Sequence, residues 1–175
     1  QAISRLLYNN QNVSLIIVGK QGWMIENVLK EFEENPYMGR SIHWLHGLSD
    51  QYLNHLYQSC TCLIAASEAE GFGLPLIEAA RQGMPIVARD IPVFREVASD
   101  AAFYFQGDTP EALAEALCNW MNLSARNDHP KPDQLQWLSW RESSKQLLDH
   151  LLALLHPSRV KVDRNTRLLA HQCLR

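Results

Sequence analysis

Five short apolar runs alternate with amphipathic stretches along this chain, and that alternation constrains the fold more than any other feature. Continuous apolar runs of this length, rich in β-branched and aromatic residues, are typical of strands buried on both faces of a parallel sheet. The intervening stretches have helical spacing, so the sequence predicts a doubly wound, mostly parallel α/β sheet. The five runs read SLIIVGK, IHWLHG, TCLIAAS, PIVARD and AAFYF.

Two helix starts in the second half of the chain are marked by capping boxes. Asp108 with Glu111 predicts a helix that runs to Trp120, and Ser139 with Glu142 predicts the start of the last long helix. A polar, proline-containing linker is expected between them, over residues 122–133. The last helix carries an apolar stripe that we expect to be buried, formed by Leu147, Leu148, Leu151, Leu152 and Leu155.

Length and composition describe one ordinary globular domain. The chain has 175 residues, 46% of them hydrophobic and 20% charged, with a net charge of −3. A weakly acidic chain has no global positive field for nucleic acid, so a bound phosphate must be held locally. The absence of a C-x-x-C pair among the four cysteines, and of any apolar run long enough for a membrane span, favours reduced thiols and a cytoplasmic protein.

A glycine loop follows the third apolar run, where ligands of doubly wound sheets bind. Gly71-Phe72-Gly73-Leu74 offers free amides ahead of a helix predicted to start at Pro75. The loop lacks the third glycine of a Rossmann fingerprint and the G-K-[ST] of a P-loop. Two interpretations remain open, which are an anion cradle and a tight turn that uses glycine for geometry alone.

Two acids flank these amides, although carboxylates repel phosphate. Glu70 directly precedes the loop, and Glu78 is expected in the first turn of the helix, where it could simply stabilise the helix dipole. Carboxylates are also good acceptors for vicinal hydroxyls, such as those of a ribose. Two hydroxylated rings separated by a diphosphate would explain the order acid, amides, acid, and this is the chemistry of a nucleotide-diphosphate sugar.

The segment EGFGLPLIEA resembles the E-x7-E motif of the retaining family-four glycosyltransferases, with Glu70 and Glu78 at the two acid positions. LIIVGKQGW, HWLHGLSDQYLNHLYQSC, GMPIVARDIPVFREV and GDTPEALAEAL are also similar to segments of this family, so the likeness covers residues 14–155. The resemblance implies the C-terminal, donor-binding half of the two-Rossmann-domain (GT-B) architecture. Within the family, these segments most resemble mannosyltransferases that use GDP-mannose. Fucosyl, glucosyl and rhamnosyl donors remain alternatives.

Carried over by position, the resemblance gives Glu70 the catalytic role of holding donor-sugar hydroxyls, by positioning rather than nucleophilic attack. Glu78 would bind the ribose, and the backbone around Gly47-Leu48 would meet the nucleobase. Lys20 is a weaker candidate, because a lysine in such a turn is more often a solvated loop residue. No metal ion and no cofactor other than the donor substrate are expected. The donor-binding set implied is Gly71, Phe72, Gly73, Leu74, Glu78, Leu48 and Lys20.

The resemblance also divides the chain into a donor-binding domain, residues 1–155, and a basic tail or linker, residues 156–175. The resemblance implies that a first strand, its Arg/Lys pair and the acceptor domain precede Gln1, and this agrees with the helical spacing that begins at once with Ile3, Leu6 and Leu7. The tail, with five Lys/Arg against one Asp, is either a solvated linker or an arm toward a membrane or partner.

The activity implied is retaining transfer of a hexose to a saccharide or lipid-linked acceptor, as in bacterial polysaccharide or lipopolysaccharide synthesis. Such work would place the protein in the cytoplasm, with peripheral association at the inner face of the membrane as an option. We expect this chain alone to bind a nucleoside diphosphate without transferring sugar. The alternatives are a non-catalytic nucleotide-sugar binding module and a sugar-nucleotide epimerase of the same architecture.

Overall fold

A computed structural model describes residues 1–20, 22 and 26–155 of the chain. It forms two compact units, one comprising Gln1–Leu135 and the other beginning at Gln136. The functional domain limit at residue 155 stays a prediction. None of the helices in the described part of the chain has the length and apolar character needed to cross a bilayer.

Strands and helices alternate along the first unit, as predicted, and all five predicted strands are present. Short 3₁₀ turns occur at Ser99–Ala101 and Pro132–Gln134. The elements of the first unit are α1 Ala2–Tyr8, β1 Leu15–Val18, α2 Glu26–Glu34, β2 Ile42–Leu45, α3 Asp50–Ser59, β3 Leu63–Ala65, α4 Leu74–Arg81, β4 Ile86–Arg89, α5 Pro92–Ala98, β5 Ala102–Phe105 and α6 Pro110–Ala125, and the second unit contains α7 Trp140–Leu155.

The strands form two parallel sheets instead of the single sheet that the alternation predicts. β1 pairs with β2, and β3, β4 and β5 form the second sheet in that order. Within residues 1–20, 22 and 26–155, no strand is hydrogen-bonded between β1 and β3. All pairs are parallel, so the carboxyl ends of β3, β4 and β5 lie at one edge of their sheet, where ligands of α/β proteins bind.

One apolar cluster joins the two sheets. It includes Ile42 of β2, Val87 of β4, Phe105 of β5 and Trp120 of α6, each at most 4% exposed. Burying a side chain of this size stabilises the fold by about 1.5–3 kcal/mol. The two sheets are therefore held in one hydrophobic layer although their strands do not pair with each other.

A second cluster lies under the candidate loop. Leu76 of α4, Ile86 of β4 and Phe94 of α5 are at most 1% exposed and form its centre. These contacts anchor the start of α4 to the sheet and to α5. The loop before α4 is thus fixed at its helical end by packing.

The cap of α6 differs from the prediction by one residue. The Thr109 hydroxyl, not Asp108, accepts a hydrogen bond from the Ala112 N–H at 3.2 Å, and the helix starts at Pro110. Proline suits the first position of a helix, which places the cap on the residue before it. The helix continues to Ala125, so it ends later than Trp120 and includes the start of the predicted linker.

The capping box of α7 is confirmed. The Ser139 N–H donates to the Glu142 carboxylate at 2.8 Å, and the Glu142 N–H donates to the Ser139 hydroxyl at 3.2 Å. The burial predicted for the stripe on this helix is wrong, since these side chains are 45–71% exposed. Helical spacing predicts an apolar face but cannot supply the surface that covers it. The predicted basic tail, residues 156–175, lies outside the described residues. The exposed side chains of the stripe are Leu147, Leu148, Leu151, Leu152 and Leu155.

Candidate functional site

The glycine loop connects the carboxyl end of β3 to the start of α4. Gly73 is the N-cap of α4 and has φ 85° and ψ 38°, in the left-handed region that favours glycine. A Cβ atom at this position would lie 3.2 Å from the ring of Phe94. The fold itself therefore requires glycine at position 73, for both backbone conformation and space.

Gly71 stands in a different situation. Its φ is not positive, and a Cβ atom added to it would meet no heavy atom within 4 Å. A tight turn that needs glycine for geometry thus accounts for Gly73 but leaves Gly71 unexplained. Backbone conformation and space would therefore allow a side chain at position 71, and glycine leaves the backbone there open to the approach of a ligand.

Four amides were predicted to face an anion, and the structure leaves three of them without a protein acceptor. The Gly71 N–H donates to Oε1 of Glu70 at 3.0 Å. Among the residues that the structure describes, the N–H groups of Phe72, Gly73 and Leu74 have no hydrogen-bond acceptor. Pro75 is the second residue of α4 and not the first, since the helix begins at Leu74. These amides lie at the positive end of the helix dipole, where anions bind favourably.

Glu70 is exposed and lies beside the amides that follow it. Its carboxylate accepts from the Gly71 N–H, so one oxygen is held against the loop backbone. A carboxylate has about four acceptor positions, so most of its capacity is left for other donors such as hydroxyl groups. The structure therefore brings the first acid and the amides together in one loop.

Glu78 is the fifth residue of α4, and no acidic residue lies in the first turn, where the sequence placed it. Because the helix dipole stabilises acids mainly within the first turn, stabilisation of the dipole does not explain an acid at this position. Its carboxylate is half-buried, and Oε2 accepts from the Tyr57 hydroxyl of α3 at 2.9 Å. The second acid is therefore held between two helices.

A polar cleft of about 140 Å³ lies between α3 and α4 beside this carboxylate. Asn54, Glu78, Arg81 and Gln82 line it. The Gln82 side chain accepts from Gln58 at 3.1 Å and donates to Asn54 at 3.4 Å. The walls of the cleft are thus tied together on one side, and the opening has room for part of a small polar ligand.

Leu48 and Lys20, the two remaining predicted residues, follow β2 and β1. Val18 pairs with Leu45, so the parallel register places both following turns at the same edge of this sheet. Gly47 has a φ of 67°, which allows the chain to turn after β2 and leaves Leu48 half-buried. Lys20 is exposed, and its role stays a prediction.

Sequence reasoning missed Arg89, the last residue of β4. Its guanidinium donates from Nε to the Ala66 carbonyl at 3.1 Å and from Nη1 to the Gly107 carbonyl. It also lies over the Phe105 ring, 5.2 Å from the centroid. One side chain therefore joins the carboxyl ends of three neighbouring strands. A basic residue that ends an otherwise apolar strand in PIVARD is the signal that could have indicated it.

No group of three or more histidines, cysteines or acids in the described part of the chain is close enough to hold a metal ion. Cys60 and Cys62 are free thiols, and burial raises the pKa of Cys62 to about 12. Thiolates, not thiols, bind metals, so Cys62 is a poor ligand. That the protein works without a metal stays a prediction.

A glycine loop between the carboxyl end of a parallel strand and the start of the next helix is typical of Rossmann-like folds. Residues 1–137 match the family model described as "Glycosyl transferases group 1", and the chain belongs to this family. The predicted family is thereby confirmed, and the solved structure described next confirms the predicted Rossmann-like half of a GT-B glycosyltransferase.

Curated relatives and solved structures agree with this assignment. The chain is 41% identical over 150 residues to the serotype-specific mannosyltransferase WbdA of Escherichia coli, covering 86% of this chain and 18% of that protein. It is 34% identical over 137 residues to the O-antigen chain mannosyltransferase RfbU of Salmonella typhimurium, covering 71% of this chain and 38% of that protein. The crystal structure of Anabaena HepE in complex with UDP and glucose matches with a TM-score of 0.67 at 18% identity, over 87% of this chain and 44% of that chain. The chain therefore spans less than half the length of each of these proteins.

Proposed function

We propose that this chain is the donor-binding part of a retaining hexosyltransferase, with GDP-mannose as the favoured donor. The donor would be used for transfer to a saccharide or lipid-linked acceptor in bacterial polysaccharide or lipopolysaccharide synthesis. The observation that carries the proposal is the set of three unpaired amides at the start of α4, with a carboxylate on either side of them in the sequence.

The amides suit the chemistry of the leaving group. Transfer breaks the glycosidic C–O bond to the diphosphate, and negative charge develops on the phosphate oxygen. N–H groups fixed by the packing of α4 can stabilise that charge without reorganising, and loss of one such donor costs about 3–4 kcal/mol in comparable sites. The unpaired N–H groups of Phe72, Gly73 and Leu74 are proposed to supply this stabilisation.

The two acids then bind different parts of the donor. Glu70 lies beside the amides and is proposed to accept from hydroxyls of the transferred sugar, which fixes the ring for attack. Glu78 lies beside the polar cleft and is proposed to accept from the ribose hydroxyls. Because each acid serves a different sugar ring, they do not form the paired carboxylates of a retaining glycosidase.

Mannose is proposed because the named functions of two relatives agree. WbdA and RfbU are both described as mannosyltransferases, and WbdA is 41% identical over 150 residues. Leu48, in the turn after β2, is proposed to meet the nucleobase through its backbone, and Lys20 to lie near the diphosphate. The exposed positive charge of Lys20 at a strand end is what supports its inclusion.

Transfer is proposed to need a second, acceptor-binding domain. The chain spans 18% of WbdA, and β1 and β3 are not paired in the described residues, so a further strand between them would complete one sheet. The first unit is then a nucleotide-sugar binding module that is inactive by itself. The family match favours a transferase over an epimerase of the same architecture.

Calorimetric titration with GDP, UDP and ADP tests the proposal. We expect one of these nucleotides, with GDP favoured, to bind in a one-to-one complex without added metal ions. Binding that is equal and very weak for all three, or that appears only with a divalent cation, would contradict the proposed site.

Two substitutions separate the roles of the acids. Glu78→Ala should weaken binding of the nucleoside diphosphate itself, because its proposed partner is the ribose. Glu70→Ala should leave the affinity for the nucleoside diphosphate unchanged. It should instead reduce the discrimination between donor sugars and slow the turnover of the intact enzyme. If both variants bind and turn over the donor like the parent, the assignment of both residues is wrong.

A further inference from the structure

Tyr57 is not among the predicted site residues, although it is hydrogen-bonded to Glu78, which is one of them. Tyr57 lies in the C-terminal half of α3, and its ring packs against the apolar cluster that contains Leu76 and Phe94. Its hydroxyl donates to Oε2 of Glu78 at 2.9 Å. The ring is thus fixed by packing, and the hydroxyl holds one oxygen of the acid.

A glutamate side chain on a helix has three rotatable torsions and moves freely when its carboxylate is solvated. A vicinal diol needs the two carboxylate oxygens in one defined orientation. The bond from Tyr57 occupies one acceptor position on Oε2 and leaves the remaining positions of the carboxylate for other donors. The acid is therefore oriented before any ligand arrives, which reduces the entropy that binding must overcome.

The phenol can only act as a donor here if it keeps its proton. Burial, together with the nearby Glu78 carboxylate, raises the pKa of Tyr57 well above its ordinary value of 10.0. The hydroxyl consequently stays protonated across the range in which proteins are assayed. Its acceptor is a carboxylate on the neighbouring helix, and a hydrogen bond to an ionised acceptor is stronger than one to a neutral acceptor.

We propose that Tyr57 is a positioning residue that orients the Glu78 carboxylate toward the ribose hydroxyls of the donor nucleotide. The inference rests on the proposed function, since it assumes that Glu78 binds a ribose. Tyr57 acts through Glu78 and does not touch the ligand. Its contribution should therefore depend on the presence of the 2′- and 3′-hydroxyls.

A purely structural role would give a different result. Tyr57 also joins α3 to α4, as Gln58 does through its 3.1 Å hydrogen bond to Gln82. If Tyr57 only held the helices together, its loss would weaken every nucleotide equally. Gln58→Ala is thus a matched control, because it removes a bond between the same two helices without touching Glu78.

The experiment compares GDP with 2′,3′-dideoxy-GDP by calorimetry on the purified protein, its Y57F variant and the Q58A control. The parent should prefer GDP. Y57F should reduce that preference by about three- to tenfold, the value of one hydrogen bond, through weaker GDP binding alone. Q58A should keep the preference of the parent, and E78Q should lose most of it.

Two results would overturn the role of Tyr57 while leaving the proposed function intact. One is a Y57F variant with the full preference for GDP, and the other is a variant that loses GDP and the dideoxy nucleotide to the same extent. A parent protein that binds both nucleotides equally would instead refute the ribose role of Glu78, and with it both proposals. Thermal melts of Y57F and Q58A verify that each variant is folded.

Discussion

The two glycines of the loop should respond in opposite ways to alanine. Gly73 has a left-handed backbone and lies against the Phe94 ring, whereas Gly71 has neither constraint. Gly73→Ala should therefore destabilise the fold. Gly71→Ala should leave stability unchanged or slightly raised, and should instead weaken the binding of a ligand that approaches the backbone.

The magnitude for Gly73→Ala follows from three contributions. A non-glycine residue in the left-handed region costs about 1–2 kcal/mol. A methyl group 3.2 Å from the Phe94 ring forces the ring to move, which adds about 1 kcal/mol. The loss of backbone freedom in the unfolded chain offsets about 0.4–1 kcal/mol. The net loss is about 1–3 kcal/mol, or a fall in Tm of roughly 2–10 °C for a chain of this size.

Urea denaturation of the parent and the two variants, followed by GDP titration of each, measures both effects. We expect a lower urea midpoint for Gly73→Ala at constant slope, and a parental midpoint with weaker GDP binding for Gly71→Ala. Equal midpoints for all three proteins would refute the steric argument at Gly73. Parental GDP binding by Gly71→Ala would show that no ligand approaches the backbone at that position.

Three further predictions concern charged and titratable groups. Burial lowers the pKa of His129 below its ordinary value of 6.5, and the positive charge of Lys131 lowers it further. The unfolded chain therefore binds this proton more readily than the folded chain does. The free energy of unfolding should consequently fall as the pH drops below about 6.5. Urea midpoints at pH 7.5 and 5.5 should show this decline in the parent and a smaller one in His129→Gln; equal declines would contradict it. Hydrogen bonds from Arg95 and Gln106 lower the pKa of Asp90 to about 2, so its contribution to stability is present above about pH 4 and is lost between pH 4 and 2. Asp90→Asn should flatten the stability profile in that acid range alone, and an unchanged profile would refute the pairing. Arg89→Ala should lower the free energy of unfolding by about 1–2 kcal/mol, because the Ala66 and Gly107 carbonyls lose their donor, and Arg89→Lys should recover only part of it. Chemical denaturation checks this, and a fully stable Arg89→Ala would show that water replaces the guanidinium.

Secondary structure was predictable because it depends on local pattern. All five apolar runs became strands, and the Ser139–Glu142 capping box formed as expected. The errors lie where two local signals competed, as at Asp108 and Thr109, where the proline at the helix start shifted the cap by one residue. The loop at 70–74 was predictable as well, since its glycines and acids are adjacent in sequence.

The sequence by itself determined the alternation of strands and helices, the family, and the order of acid, amides and acid along the chain. Only the tertiary structure decided that the Phe94 ring leaves no room for a side chain at Gly73. It also decided that Arg89 joins three strand ends, and that Glu78 is hydrogen-bonded to Tyr57, 21 residues earlier in the chain. The physical reason is that periodicity and capping act over a few neighbouring residues. The orientation of a side chain depends instead on the residues that the fold packs against it. Those residues are distant in sequence, so the local sequence does not identify them.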